Sequence, residues 1–264
     1  MITTACRNKS GQYDVYHRQR ITMSKIKTRL YTQSQLVGGG ELPLSREHAH
    51  FLNNVLRLKS GDYIGLFNAE CGEWSARLDN LSKRGGFAQL KEQICLPSPE
   101  SGPWLAFAPI KKTRTDFIVE KATELGVERL IPVFTTYTAT SRVNVERLGA
   151  IATEAAEQCR RLSIPTIAEP CTLDTLIDEW PENRTMFVGD ETGSGVPLAD
   201  AMENTDTEDE PGFLIGPEGG FSEDELTRIR QQAFCQPIDL GPRILRAETA
   251  AISVLSMNNA LKRC

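Results

Sequence analysis

The sequence predicts an α/β chain in which a mainly parallel sheet with helices on both faces follows a small β-barrel. Three observations carry this. From residue 104 onward, short apolar runs alternate with amphipathic segments, the strand–helix order that builds a parallel sheet. Between 28 and 96 the runs are short, alternating and closely spaced, as in a small barrel. Between the two, Leu96-Pro-Ser-Pro-Glu-Ser-Gly-Pro103 holds three prolines, two serines and a glycine in eight residues, which can continue neither strand nor helix. The domains are therefore drawn as an extension at 1–27, a barrel at 28–96, a linker at 97–103 and the α/β domain at 104–264.

Taken in order, Arg29-Leu-Tyr-Thr32 opens the barrel as a strand and Gly38-Gly-Gly40 is a flexible turn. His48–Leu58 reads as a helix with Phe51, Leu52, Val55 and Leu56 on one face, and Lys59-Ser-Gly61-Asp62 as a turn. Tyr63–Phe67, Glu73–Leu78 and Phe87–Leu90 are strands. Beyond the linker, Trp104–Ile110 is a strand and Asp116–Leu125 a helix ending at Gly126, with Phe117, Ile118, Ala122 and Leu125 buried. Arg129–Phe134 is a strand, Val145–Arg161 a long helix, and Thr185–Val188 a strand running into Gly189-Asp-Glu191.

Two glycine loops close the chain. Phe213-Leu-Ile215 is a strand leading to Gly216-Pro-Glu-Gly-Gly220 and then a helix, whose start is set by a capping box between Ser222 and Glu225 and a staple from Phe221 to Leu226. Ile238-Asp-Leu240-Gly-Pro-Arg243-Ile-Leu-Arg246-Ala-Glu248-Thr249 repeats the plan, and Glu248–Lys262 is the last helix, with Ala250, Ala251, Val254, Leu255 and Met257 on its packing face. Ligands in α/β folds sit at the carboxyl ends of strands, so two such loops predict one site built from both. Ordinary strand-to-helix turns would show the same local pattern.

Composition narrows the class. Seven dispersed cysteines without a C-x-x-C pair predict free thiols in a reducing compartment, and the sparse histidines predict no metal site. The longest apolar run, Trp104–Ile110, is too short to cross a membrane. Residues 201–210 hold five acids and no base, so the net charge of −5 belongs to that stretch and the remainder is formally neutral. Local basic clusters remain at Lys111-Lys112-Thr-Arg114, at Arg160-Arg161 and at Arg243 with Arg246. No Gly-x-Gly-x-x-Gly, Walker lysine or Gly-x-Ser-x-Gly element is present, so dinucleotide, P-loop and serine-hydrolase chemistry have no support.

Gly216-Pro-Glu-Gly-Gly220 followed by Leu240-Gly-Pro-Arg-Ile-Leu-Arg-Ala-Glu-Thr249 resembles the C-terminal signature of the bacterial 16S rRNA uridine-N3 methyltransferases, members of the SPOUT superfamily. His-x-x-x-Val-Leu-Arg-Leu-x-x-Gly-Asp62, Lys111–Val127 and Glu154-Ala-Ala-Glu-Gln-Cys-x-Arg161 extend the resemblance over nearly everything from residue 27. Two departures are Arg160, where the family has a small residue, and Thr136-Tyr-Thr138, where it tends to have an arginine. The resemblance implies a trefoil-knotted SPOUT domain, a PUA-like RNA-binding barrel, S-adenosyl-L-methionine as methyl donor, and a cytoplasmic homodimer acting on 16S rRNA within the 30S subunit. Residues 1–27, with six bases and one acid and no apolar core of a secretory signal, are then a disordered extension. It is either a basic arm or sequence upstream of a start at Met23; the second is favoured because Lys27–Tyr31 resembles the start of the family's fold.

Carried onto this chain, the donor surface is Gly189, Gly216, Pro217, Glu218, Gly219, Leu240, Gly241, Ile244 and Leu245. Glu218 serves there, or instead caps the adjoining helix or holds the turn. Alkylating uracil N3 displaces a proton and spreads negative charge onto two carbonyls, which calls for a cation and an adjacent carboxylate. Arg246 and Glu248 are the catalytic candidates, or else they pair with each other or cap the last helix. RNA contacts are expected from Arg29, Arg57, Lys111, Lys112, Arg114, Lys121 and Arg161. The competing readings are a SPOUT enzyme acting at another rRNA or tRNA position and a non-catalytic PUA-like RNA-binding or assembly factor.

Overall fold

The computed structural model describes residues 25–98, 100–190, 195–203 and 210–261. The extension at 1–27 and the acidic stretch at 201–210 thus fall largely outside the described residues, as do Glu191 and Lys262. The chain divides into two compact units between Ser98 and Pro99.

In the first unit, β1 (Ile26–Tyr31), β2 (Glu41–Pro43), β3 (Tyr63–Asn68), β4 (Gly72–Ser82) and β5 (Gly85–Cys95) form a sheet in the order β1-β3-β4-β5-β2. β1 runs parallel to β3 and the other pairs are antiparallel. Leu30, Leu52, Ile64, Leu66, Leu78 and Leu90 are among its buried core. β4 and β5 run to eleven residues each, well past their apolar alternation, because the hairpin continues to a Ser82–Gly85 pair. β2 carries no alternation to read, since Glu41 and Pro43 are both exposed.

The helix expected at His48–Leu58 is shorter and irregular. Ser45 caps α1 (Arg46–His50) by accepting a hydrogen bond from the His48 amide, and the chain then widens into a π-helical turn, Phe51–Val55. The wider turn breaks the 3.6-residue period. Leu52 stays buried and Phe51 half-buried, whereas Val55 and Leu56 are exposed. Arg29 requires a correction. It is 8% exposed, its Nε lies 3.0 Å from the Glu73 carboxylate, and its guanidinium sits 4.0 Å over the Phe67 ring. Its charge is held inside the sheet rather than offered to RNA.

The second unit contains β6 (Trp104–Phe107), α2 (Lys112–Glu124), β7 (Arg129–Phe134), α3 (Val145–Cys159), β8 (Thr166–Ile167), β9 (Cys171–Thr172), α4 (Leu173–Asp178), β10 (Met186–Gly189), β11 (Val196–Pro197), α5 (Leu198–Glu203), β12 (Gly212–Ile215), α6 (Glu223–Arg230), β13 (Cys235–Asp239) and α7 (Ala247–Leu261). The strands pair in parallel in the order β11-β13-β10-β12-β6-β7-β8, with β9 added beside β7. Strand alternation explains the two-sided packing. Leu105, Phe107, Phe187, Phe213 and Ile215 face a core shared with α2, α3 and α7, while Ala106, Met186, Val188 and Leu214 face α4, Trp180 and Ile229. Among the described residues five cysteines are free, and burial pushes the Cys235 thiol up to about 12, so it is a neutral core group.

Three expectations change here. Phe117 is 40% exposed rather than buried. α3 stops at Cys159 because Arg160 turns into the left-handed region at φ 65, so Glu154, Gln158 and Arg161 do not share a helical face. Arg161 is 7% exposed, with Nε 2.8 Å from Glu100 and Nη1 donating to the Thr123 carbonyl at 3.1 Å, which ties the linker and α2 together and withdraws it from RNA. Arg160 takes this left-handed conformation although a Cβ is penalised there. Arg160→Gly should raise stability by roughly 0.5–1 kcal/mol, read as a higher denaturant midpoint.

Candidate active site

The end of β10 with Asp190 and the loops after β12 and β13 meet at one end of the sheet. Parallel register sets Val188 against Leu214 and Gly189 against Ile238, so the three strand ends lie side by side. Between them and the start of α7 lies a pocket of about 520 Å³. Its walls are Gly189 and Asp190, then Ile215–Pro217 with Gly220, Phe221, Glu223 and Leu226, then Ile238–Leu245, and finally Ala247 and Ala250.

The shape follows from local chemistry. The capping box forms in both directions, with Ser222 N–H donating to Glu225 Oε2 at 2.8 Å and Glu225 N–H to Ser222 Oγ at 3.3 Å. It fixes the chain entry at Phe221, whose ring would lie 3.0 Å from a Cβ on Gly216, so that loop tolerates only glycine there without a shift. Gly241 adopts φ 108 and donates to the Asp239 carboxylate at 2.9 Å, which folds the second loop over the pocket. Glu225 Oε1 also accepts the Thr136 amide at 2.7 Å, and a Cβ on Gly219 would stand 3.2 Å from Tyr137 Cβ. The Thr136–Thr138 segment thus braces the first glycine loop from outside.

Seven of the nine expected donor residues line the pocket: Gly189, Gly216, Pro217, Leu240, Gly241, Ile244 and Leu245. Glu218 and Gly219 do not. Glu218 neither lines the pocket nor caps the helix; its Oε1 lies 2.5 Å from Arg114 Nη1, which fits the reading that it holds the turn. The Arg114 Nε lies 3.5 Å from Glu248 Oε1, so one guanidinium on α2 joins the glycine loop to the first turn of α7. Glu248 Oε2 is buried without a hydrogen-bond partner. The alternative in which Arg246 pairs with Glu248 gives way to a three-residue cluster centred on Arg114.

Arg246 is exposed, follows pocket-lining Leu245, and accepts the first α7 hydrogen bond at its carbonyl from Ala250, 2.8 Å away. Among the described residues its guanidinium has no hydrogen bond or ion pair. Lys111 and Lys112 are exposed at the start of α2, and Arg57 is exposed at φ 55. Lys121 is instead held by Glu120 at 2.7 Å and Glu124 at 2.8 Å, hydrogen bonds that raise its pKa; it is a helix-surface lysine.

Sequence reasoning missed Asp190, Glu223 and Asp239, which add carboxylates to the lining, and the apolar walls Ile215, Phe221 and Ile238. Asp190 was within reach, because it directly follows Gly189 at the end of β10; its carboxylate is 3% exposed and lies 3.3 Å from Arg230. Glu223 and Asp239 offset Arg243 beside the apolar walls, whereas the Asp190 carboxylate is held by Arg230. Such a site suits a small ligand with an apolar ring and a few polar groups.

Comparison with known proteins agrees with this geometry. Residues 99–259 match the family model described as an RNA methyltransferase domain. The chain is 34% identical over 233 residues to the ribosomal RNA small subunit methyltransferase E of Rickettsia conorii, covering 86% of this chain and 93% of that one. With the Synechocystis protein of the same name it shares 32% identity over 240 residues, 88% of this chain and 77% of the other. A proposed methyltransferase from Legionella pneumophila, solved with bound SAM, superposes with a TM-score of 0.80 at 29% identity, covering 89% of this chain and 97% of that one.

Proposed function

The chain belongs to the RNA methyltransferase family, and from that premise we propose that it methylates N3 of one uridine in the decoding region of 16S rRNA, with S-adenosylmethionine as donor and the assembled 30S subunit as substrate. The observation that carries the reading is the convergence of three strand ends on one pocket beside an exposed, unpaired arginine.

The pocket residues fit the donor. Leu240, Ile244 and Leu245 offer apolar surface for an adenine face, glycine turns expose backbone groups to its edge, and the carboxylates of Glu223 and Asp239 complement a cationic ligand. When bound, S-adenosylmethionine supplies an electrophilic methyl group on a positively charged sulfur. Arg246 at the rim opposes the negative charge that builds on the uracil carbonyl oxygens as the N3 proton leaves for solvent. The loops would hold the donor, and transfer calls for N3 within roughly 3–3.5 Å of the methyl carbon. Glu248, expected beside Arg246, contributes here as a positioning residue, since it faces Arg114 and its second oxygen is buried.

The parallel order β13-β10-β12-β6, in which a late strand lies outside an earlier one and α7 packs back on β12 and β6, supports the trefoil knot of SPOUT domains. The mainly antiparallel sheet of the first unit supports a PUA-like barrel. The homodimer belongs to the same reading, as the family resemblance implies. No helix among the described residues is long and apolar enough to cross a membrane, and a cytoplasmic site of action accords with a ribosomal substrate.

Calorimetric titration with S-adenosylmethionine tests the first step: saturable one-site binding is expected, and no binding heat at any temperature would remove the reading. Arg114→Ala should weaken that binding about tenfold, because it leaves the Glu218 and Glu248 carboxylates without their shared cation and frees the glycine loop. Arg114→Lys should recover part of the loss, and equal affinity for all three proteins would show that the cluster does not hold the loop.

A further inference from the structure

The first unit contains a second concavity, of about 500 Å³, lined by Arg46, Glu47, His50, Asn54, Lys83 and Arg84. Its two walls are built differently. Arg46, His50 and Asn54 follow one another at four-residue steps along α1 and the π-helical turn, which places them on one face at intervals of about 6 Å. Lys83 and Arg84 form the turn between β4 and β5, where Ser82 Oγ donates to the Gly85 carbonyl at 3.0 Å and accepts from the Arg84 amide at 3.4 Å. α1 packs on both β4 and β5, so the walls are fixed to each other.

Charge gives the cleft its character. Arg46, Lys83 and Arg84 are exposed and have no ion pair or side-chain hydrogen bond among the described residues, and Glu47 is the one carboxylate in the lining. Several other cations are held by carboxylates instead, among them Arg29 in the same unit and Arg114, Arg147, Arg161 and Arg228 in the second. Unpaired cations converging on a concave surface are an electrostatic footprint for a polyanion. The π-helical turn is itself a feature enriched at functional sites. No aromatic or aliphatic side chain lines the cleft, which lacks the apolar centre of a protein interface but matches a row of phosphate contacts.

We infer that this cleft binds the phosphodiester backbone of the substrate RNA, with Arg46, Lys83 and Arg84 on successive phosphates and His50 and Asn54 as flanking hydrogen-bond donors. The inference rests on the reading that the chain acts on RNA, and deepens it by moving the contact surface of the first unit from Arg29, which is buried, to this face. Binding there is independent of base identity and of the methyl donor, and places the RNA rather than selecting the nucleotide.

The test uses the full chain and a fluorescent transcript of small-subunit rRNA, titrated without methyl donor over a range of salt concentrations. The triple variant R46A/K83A/R84A should bind about tenfold more weakly, with the slope of log K against log salt reduced by roughly 2–3. The charge-matched control K25A/K59A/K91A, in the same unit but outside the cleft, should stay near wild type. The reversal pair Lys83→Glu and Arg84→Glu at the exposed turn provides a second variant, and melting curves with donor titration verify that each protein is folded. Unchanged RNA affinity in the triple variant, or an equal loss in the control, would overturn the proposal. So would retained binding to naked rRNA with lost binding to intact subunits, which would identify an acidic protein as the occupant. A wild type that shows the cleft effect yet transfers no methyl group would leave this site standing and remove the catalytic reading instead.

Discussion

Arg246→Ala should lower the rate of methyl transfer by about 10²–10³-fold while leaving the dissociation constant for S-adenosylmethionine within about twofold of wild type. The split follows from where the residue sits. Leu245 and Ala247 line the pocket on either side of it, but the Arg246 side chain is exposed and bonded to nothing among the described residues. An unpaired guanidinium at the rim contributes nothing to the fold that its removal would forfeit. Its carbonyl, which the substitution retains, is the part that starts α7. The charge it opposes exists only as the uracil proton departs, so its loss falls on the chemical step. Arg246→Lys should restore part of the rate by keeping the charge without the planar fork. Single-turnover kinetics with saturating donor separate the outcomes, and a full rate for Arg246→Ala would remove the residue from the mechanism.

Gly212→Ala should destabilise the second unit by about 3 kcal/mol or more. A Cβ at that position would stand 2.2 Å from Trp180 Cζ2 and 2.4 Å from Cη2. Neither partner can retreat easily. Trp180 is 5% exposed, donates through Nε1 to the Arg184 carbonyl at 2.7 Å, and meets Trp104 edge-on at 5.4 Å. β12 is fixed between β10 and β6, and the Gly212 amide donates to the Thr185 carbonyl at 2.8 Å. Any shift of the strand is transmitted four residues on to Gly216 in the pocket wall, so donor binding should weaken along with stability. Denaturant unfolding provides the measurement. Adding Trp180→Leu should recover part of the lost stability, as expected for coupled neighbours, whereas strictly additive losses would place the strain elsewhere.

How much of this was legible in the sequence depended on whether the cause was local. The capping box at Ser222 and Glu225, the glycine turns at 216 and 241 and the strand Phe213–Ile215 are set by near neighbours, and the structure has them where the pattern put them, while the strand read as Trp104–Ile110 ends at Phe107. Elements too short to show a period were missed: β8, β9 and β11 have two residues each, and α5 lies partly inside what read as an acidic loop. The fate of each arginine was not local at all. Arg29 is matched by Glu73, Arg161 by Glu100 and Arg114 by Glu218, and these pairs are brought together only by tertiary packing. An isolated basic residue in a sequence looks the same whether its carboxylate is waiting far along the chain or absent. That is why Arg29 and Arg161 read as RNA contacts, while the unpaired set at Arg46, Lys83 and Arg84 attracted no notice.

The most direct test combines the purified protein, methyl-labelled S-adenosylmethionine and small ribosomal subunits from a strain lacking the gene, followed by digestion of the RNA and identification of the labelled nucleoside. The account predicts label in 3-methyluridine at a single position of the 16S rRNA. Label in any other nucleoside, or none despite saturable donor binding, would contradict it.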